Sequence, residues 1–70
     1  MAREAIIRKV RPYELHGVGY YQLAVSYSDD PESMREVRIA NDSIYANPAA
    51  GDRIEVDLIL NVATEVRKKA

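Results

Sequence analysis

The sequence predicts an all-β fold, five short strands closed into one small barrel, and three observations carry that expectation. Apolar residues recur at every second position in four segments, clusters of turn formers separate those segments, and no stretch keeps a 3.6-residue apolar period over ten residues. Seventy residues suffice for one domain, 1–70, with a single core. A chain of this size buries only roughly 60% of its unfolded surface. With no cysteine it has no disulfide to reinforce that core, so packing or self-association must hold it.

The first strand is expected over roughly Glu4 to Tyr13, where the alternation is imperfect. Ile6 and Val10 share a row with Arg8, while Ile7 shares one with Lys9 and Arg11. A β-bulge or a strong bend reconciles the two rows. The second strand, Tyr20 to Tyr27, is regular: Tyr21, Leu23, Val25 and Tyr27 alternate with Tyr20, Gln22, Ala24 and Ser26. "SDDPES" is dense in turn formers and predicts a hairpin loop of five or six residues. In the third strand, "MREVRIA", Arg35, Val37 and Ile39 face away from Glu36, Arg38 and Ala40.

Between the third and fourth strands, "NDSIYANPAA" offers an Asn-Asp-Ser cluster that caps a helical turn and a proline that ends it. Irregular chain, or a short helical or 3₁₀ turn, is expected there. Gly51-Asp52 then opens the fourth strand, whose apolar row is Ile54, Val56, Leu58 and Leu60, with Ile59 alone breaking the pattern. Asn61 is a turn residue, and Val62, Thr64 and Val66 alternate with Ala63, Glu65 and Arg67 in the fifth strand. A flat meander of these strands leaves an apolar face in water, whereas a closed barrel buries one row per strand and removes most free edges. Both the OB-like (oligonucleotide/oligosaccharide-binding) and the SH3-like barrel accommodate the pattern, and the position of the helical turn favours the former.

Composition excludes several function classes. One histidine and no thiol leave no ligand set for zinc or haem, so no metal and no cofactor is expected. No apolar run approaches the roughly 20 residues of a membrane span, and charges interrupt the N-terminal "MAREAIIRKVR". This predicts a soluble, cytoplasmic protein without membrane insertion. His16, beside Glu14 and Gly17, is presented by a loop, but no nucleophile or oxyanion donor stands at a recognisable spacing. "DDPE" fits no calcium loop and reads as a solvated turn. The chain is therefore not expected to be an enzyme.

Charge is distributed unevenly along a chain whose net charge is −1. Residues 1–13 hold four cations against one carboxylate and residues 61–70 three against one, whereas the middle holds three against nine. If the first and last strands are neighbours, Arg8, Lys9 and Arg11 join Arg67, Lys68 and Lys69 in one positive stripe, with Tyr20 beside it to stack on a base. The competing expectation is that these cations pair with Glu55, Asp57 and Glu65 across neighbouring strands. Ile59, on the outer row, is the candidate contact for a homodimer.

Two resemblances follow from these phrases. "GYYQLAVSY" followed by "NPAAGDRIEVDL" resembles a class of uncharacterised bacterial β-domains and implies a small barrel. The five-strand order and "GDRIEVDL" are similar to bacterial translation initiation factor one, which implies an OB fold and an RNA partner. The leading functional expectation is a non-catalytic interaction module for a protein or a small polar ligand. The alternative is an OB-type barrel that binds RNA or single-stranded DNA through its basic first and last strands.

Overall fold

The computed structural model describes residues 2–69, and alternation of buried and exposed side chains governs its strands. These are β1 (Ala2–Leu15), β2 (Val18–Tyr27), β3 (Asp30–Ala40), β4 (Arg53–Ile59) and β5 (Val62–Lys68). They form one antiparallel sheet in the order β3-β2-β1-β4-β5. Its inner face carries the core: Ile7, Leu23, Val25, Ile54 and Val56 are fully buried, and Ala5, Tyr27, Val37, Ile39 and Val66 nearly so. At about 25 cal/mol per Å² of apolar surface, this row of aliphatic side chains is the dominant favourable contribution to folding. Among the described residues no helix is long and apolar enough to cross a membrane.

The bulge expected in the first strand lies between Ile7 and Lys9, leaving Arg8 as the additional residue. It turns Ile7 and Val10 to the core side and sends Lys9, Arg11 and Tyr13 to the opposite face. The bulged residue has a local partner, since Arg8 Nε donates to the Oγ of buried Ser26 at 3.1 Å. Main-chain bonds between Ile7 and the turn before β4 fix the same point. Ile7 N donates to the Asp52 carbonyl at 2.9 Å, and Gly51 N donates to the Ile7 carbonyl at 2.7 Å.

Four expectations require correction. The first and last strands are not neighbours, because β4 pairs with both and lies between them. The helical turn between β3 and β4 is absent, and residues 41–52 run as turns and bends. Ile44 is drawn into a parallel bridge with Val66, which requires extended backbone, while Asp52 accepts bonds from Tyr45 Oη at 2.6 Å and Ala49 N at 3.1 Å. The capping cluster therefore starts a turn, closed by Ser43 N on the Ala40 carbonyl at 2.9 Å, and no helix follows.

The β2–β3 loop is the third correction. Tyr27 pairs with Asp30 across a two-residue turn, and the surplus residues, Pro31 to Met34, are accommodated as an irregularity of β3 before Arg35 meets Val25. Pro31 has no N–H to give to a ladder, which accounts for the slip beginning there. Leu60 is the fourth. It does not extend the row of Ile54 and Val56 but stands 92% exposed in the β4–β5 turn. Leu60 and Asn61 both have positive φ, 50° and 66°, the backbone of a type I′ hairpin turn.

Two further hairpin features shape the end of the sheet. His16 and Gly17 also have positive φ, 52° and 79°, making the β1–β2 connection a tight turn with His16 exposed at its tip. Gly19 adjoins Asn41, whose exposed side-chain tip would lie 2.6 Å from a Cβ there and can swing aside, and Asn41 N donates to the Gly19 carbonyl at 3.0 Å.

The sheet does not close on itself through a ladder. Val66 N donates to the Ser43 carbonyl at 2.9 Å beside the Ile44–Val66 bridge, and these contacts link the β5 edge to the segment that follows β3.

Candidate functional site

The register across the three strands β1, β2 and β3 determines which polar side chains share the outer face. Lys9 is opposite Ala24, which is opposite Glu36; Arg11 is opposite Gln22, which is opposite Arg38; Tyr13 is opposite Tyr20, which is opposite Ala40. The pleat puts all nine on one surface. The rings of Tyr13 and Tyr20 stack with centroids 5.4 Å apart and planes at 17°. Next to them a shallow depression of about 310 Å³ is lined by Lys9, Arg11, Gln22, Ala24, Met34 and Glu36.

The electrostatics of this surface differ from those of the rest of the sheet. Among the described residues Lys9, Arg11 and Arg38 make no ion pair. The one carboxylate among them, Glu36, accepts a hydrogen bond from the Gln22 amide on the adjacent strand. Three cations thus stand on a half-exposed sheet surface with an aromatic pair at one end. Their charge is balanced only in part.

The basic residues of the last strand are disposed otherwise. Arg67 Nη1 and Nη2 hold the two carboxylate oxygens of Asp57 in a fork, the Nη2 bond being 3.1 Å, and Nη1 also donates to Glu65 at 2.6 Å. Asp57 and Glu65 are directly opposite across β4 and β5. Two like charges in that position repel, and the guanidinium between them offsets the repulsion. The bond from Arg67 is the main cause that holds the Asp57 carboxyl below its ordinary value, and Asp57 in turn raises the pKa of the guanidinium. Lys69 pairs with Glu4, and Lys68 lies 6.0 Å from the centroid of the Tyr45 ring. The cross-strand charge pairing weighed in the sequence is therefore present on this side of the molecule.

The residues predicted as one basic stripe divide into two groups. Lys9, Arg11 and Tyr20 lie together on the β1–β3 face, with Arg8 at its edge turned to Ser26. Arg67, Lys68 and Lys69 are one strand further away, beyond β4. Sequence reasoning did not include Tyr13, Gln22 or Arg38. The signal for Tyr13 was present in the bulge, which places it on the row of Lys9 and Arg11, whereas Arg38 depended on knowing that β3 and β1 flank β2. No protein-family model, curated protein or solved structure gives a match to this chain.

Proposed function

We propose that the chain is a non-catalytic binding module that takes single-stranded nucleic acid on the outer face of β1, β2 and β3. The observation that carries this reading is the juxtaposition of the Tyr13–Tyr20 stack with Lys9, Arg11 and Arg38, three cations free of ion pairs. A single strand offers what such a face requires. Its bases have flat π-faces that stack on tyrosine, about 1–3 kcal/mol for each base, and its phosphates follow the cations along the strands. Gln22 adds a side chain able both to donate and to accept hydrogen bonds at a base edge.

The order of the strands supports an OB-like reading over an SH3-like one. Continuing β3-β2-β1-β4-β5 through the Ile44–Val66 bridge gives a partly open five-stranded barrel, and in barrels of that kind the face of the second and third strands holds the ligand. On β4 and β5, by contrast, Arg67 is taken up by Asp57 and Glu65, so its charge is not offered to a polyanion there. The net charge of −1 is compatible with a local site because charges more than roughly 10 Å apart are screened from one another.

Fluorescence anisotropy of a labelled oligouridylate of about ten nucleotides tests the proposal. With three phosphates neutralised, log K falls with log salt at a slope of roughly −2, so that affinity drops about 15-fold between 50 and 200 mM salt. A flat salt dependence, or no binding at the lower salt, contradicts it.

A further inference from the structure

We propose that the depression on the outer face of β1, β2 and β3 takes a guanine base, so that the module prefers strands containing one; this rests on the single-strand reading above. At about 310 Å³ the depression is at the small end of ligand pockets, which run from roughly 300 to 1,000 Å³. It suits one base. Lys9 on β1 and Glu36 on β3 are both opposite Ala24, so two strand spacings of about 4.8 Å and a single methyl group separate a cation from a carboxylate. Among the described residues the two make no ion pair. A flat ring laid on Ala24 fits between them, with the Met34 thioether against it, a contact that aromatic rings favour.

The polar walls select the base. Glu36 accepts from the Gln22 amide through Oε2, which leaves Oε1 and the remaining lone pairs of the carboxylate for two further donors. Guanine alone presents two adjacent donors, N1–H and the N2 amine. Adenine and cytosine each set one amine beside an unprotonated ring nitrogen, and uracil sets one N–H between two carbonyls; a carboxylate repels those acceptors. The Hoogsteen edge of guanine, O6 and N7, carries acceptors only and faces the Lys9 ammonium, a common match of basic side chain to base. Gln22 is then a positioning residue, because its bond orients the carboxylate. Ala24 and Tyr20 are four residues apart along β2, about 13 Å, so the guanine and the base stacked on the tyrosines belong to different nucleotides. Arg11 and Arg38 are in the row between them, where the linking phosphates pass.

The probes are labelled strands of about ten nucleotides, followed by anisotropy at about 50 mM salt: oligouridylate, and the same strand with one central uridine replaced by guanosine, adenosine or inosine. The guanosine strand should bind at least about fivefold more tightly than oligouridylate and the adenosine strand at most about twofold, with inosine, which lacks the N2 amine, between them. Glu36→Gln, at an exposed position, should remove most of the gain from guanosine while binding of oligouridylate strengthens, because there the substitution only deletes a negative charge. Damage to the fold would move both strands in the same direction. Guanosine monophosphate, the other source of the base, should leave the guanosine strand bound at about 1 mM, since it lacks the stacking and the further phosphates. Equal affinity for the guanosine and adenosine strands, a guanosine preference that survives Glu36→Gln, or full displacement by the monophosphate overturns the proposal and leaves the single-strand reading standing. Failure of every strand to bind overturns both.

Discussion

The two halves of the outer sheet surface hold comparable numbers of cations and use them in opposite ways. On β4 and β5, Arg67 is locked between Asp57 and Glu65, and Lys69 is paired with Glu4. On β1, β2 and β3, Lys9, Arg11 and Arg38 make no ion pair and stand to one side of a stacked tyrosine pair. Both halves are antiparallel ladders on one core, so the difference comes from side chains alone. Cross-strand neighbours of opposite sign stabilise a sheet modestly and consume their charge in doing so. Cations opposite alanine and glutamine keep theirs for a ligand.

The strongest way to break the comparison is to remove what both halves share. Leu23 is fully buried at the centre of the sheet, and Leu23→Ala leaves a cavity costing about 2–5 kcal/mol. A chain of this size has only about 4–10 kcal/mol in total. Urea denaturation should find the variant largely or wholly unfolded, and oligonucleotide binding lost with the fold.

Charge reversal separates the halves. The double variant Lys9→Glu/Arg11→Glu should lower oligonucleotide affinity by roughly 100-fold at low salt while the urea midpoint shifts little, because neither residue has an ion pair to lose. Anisotropy and denaturation on the same sample measure both. Tyr13→Ala/Tyr20→Ala should follow, with a loss of about 10- to 100-fold that persists at high salt, since stacking is not screened. The ratio of the two losses at 50 and 300 mM salt distinguishes phosphate contact from stacking.

The paired half should show itself in pH dependence. Asp57 titrates below its ordinary value of 3.8 when folded, chiefly through the bond from Arg67. A carboxylate with a depressed folded pKa contributes stability above the unfolded value, and that contribution is lost as pH falls through the folded one. Melting temperature should therefore decline more steeply below about pH 4 in the native chain than in Asp57→Asn. Asp29, held low mainly by its bond from Arg3, titrates in the same window and keeps a residual slope in that variant. The smallest effect sharpens the other half: Glu36→Gln removes the one carboxylate beside Lys9 and Arg11 and should raise oligonucleotide affinity about two- to threefold.

The local parts of this architecture were legible in the chain. Period 2 identified Leu23, Val25, Tyr27, Val37, Ile39, Ile54 and Val56 as core, and the broken alternation around Arg8 announced a bulge, because both are properties of consecutive residues. Strand order is not such a property. Whether β5 lies beside β1 or beyond β4 depends on contacts between residues about fifty positions apart, and the basic stripe failed on that point. Leu60 was misread for a different reason: leucine with positive φ is rare, so its hydrophobicity outweighed the turn signal of Asn61. The unpaired state of Arg11 and the paired state of Arg67 were equally hidden, since each is decided by the residue opposite.

The most direct test of the division into two halves is an NMR titration of the ¹⁵N-labelled chain with oligouridylate. Chemical-shift changes should concentrate at Lys9, Arg11, Tyr13, Tyr20, Gln22 and Arg38, with Asp57, Glu65 and Arg67 unmoved. Changes centred on β4 and β5, or spread evenly over both halves, would contradict it.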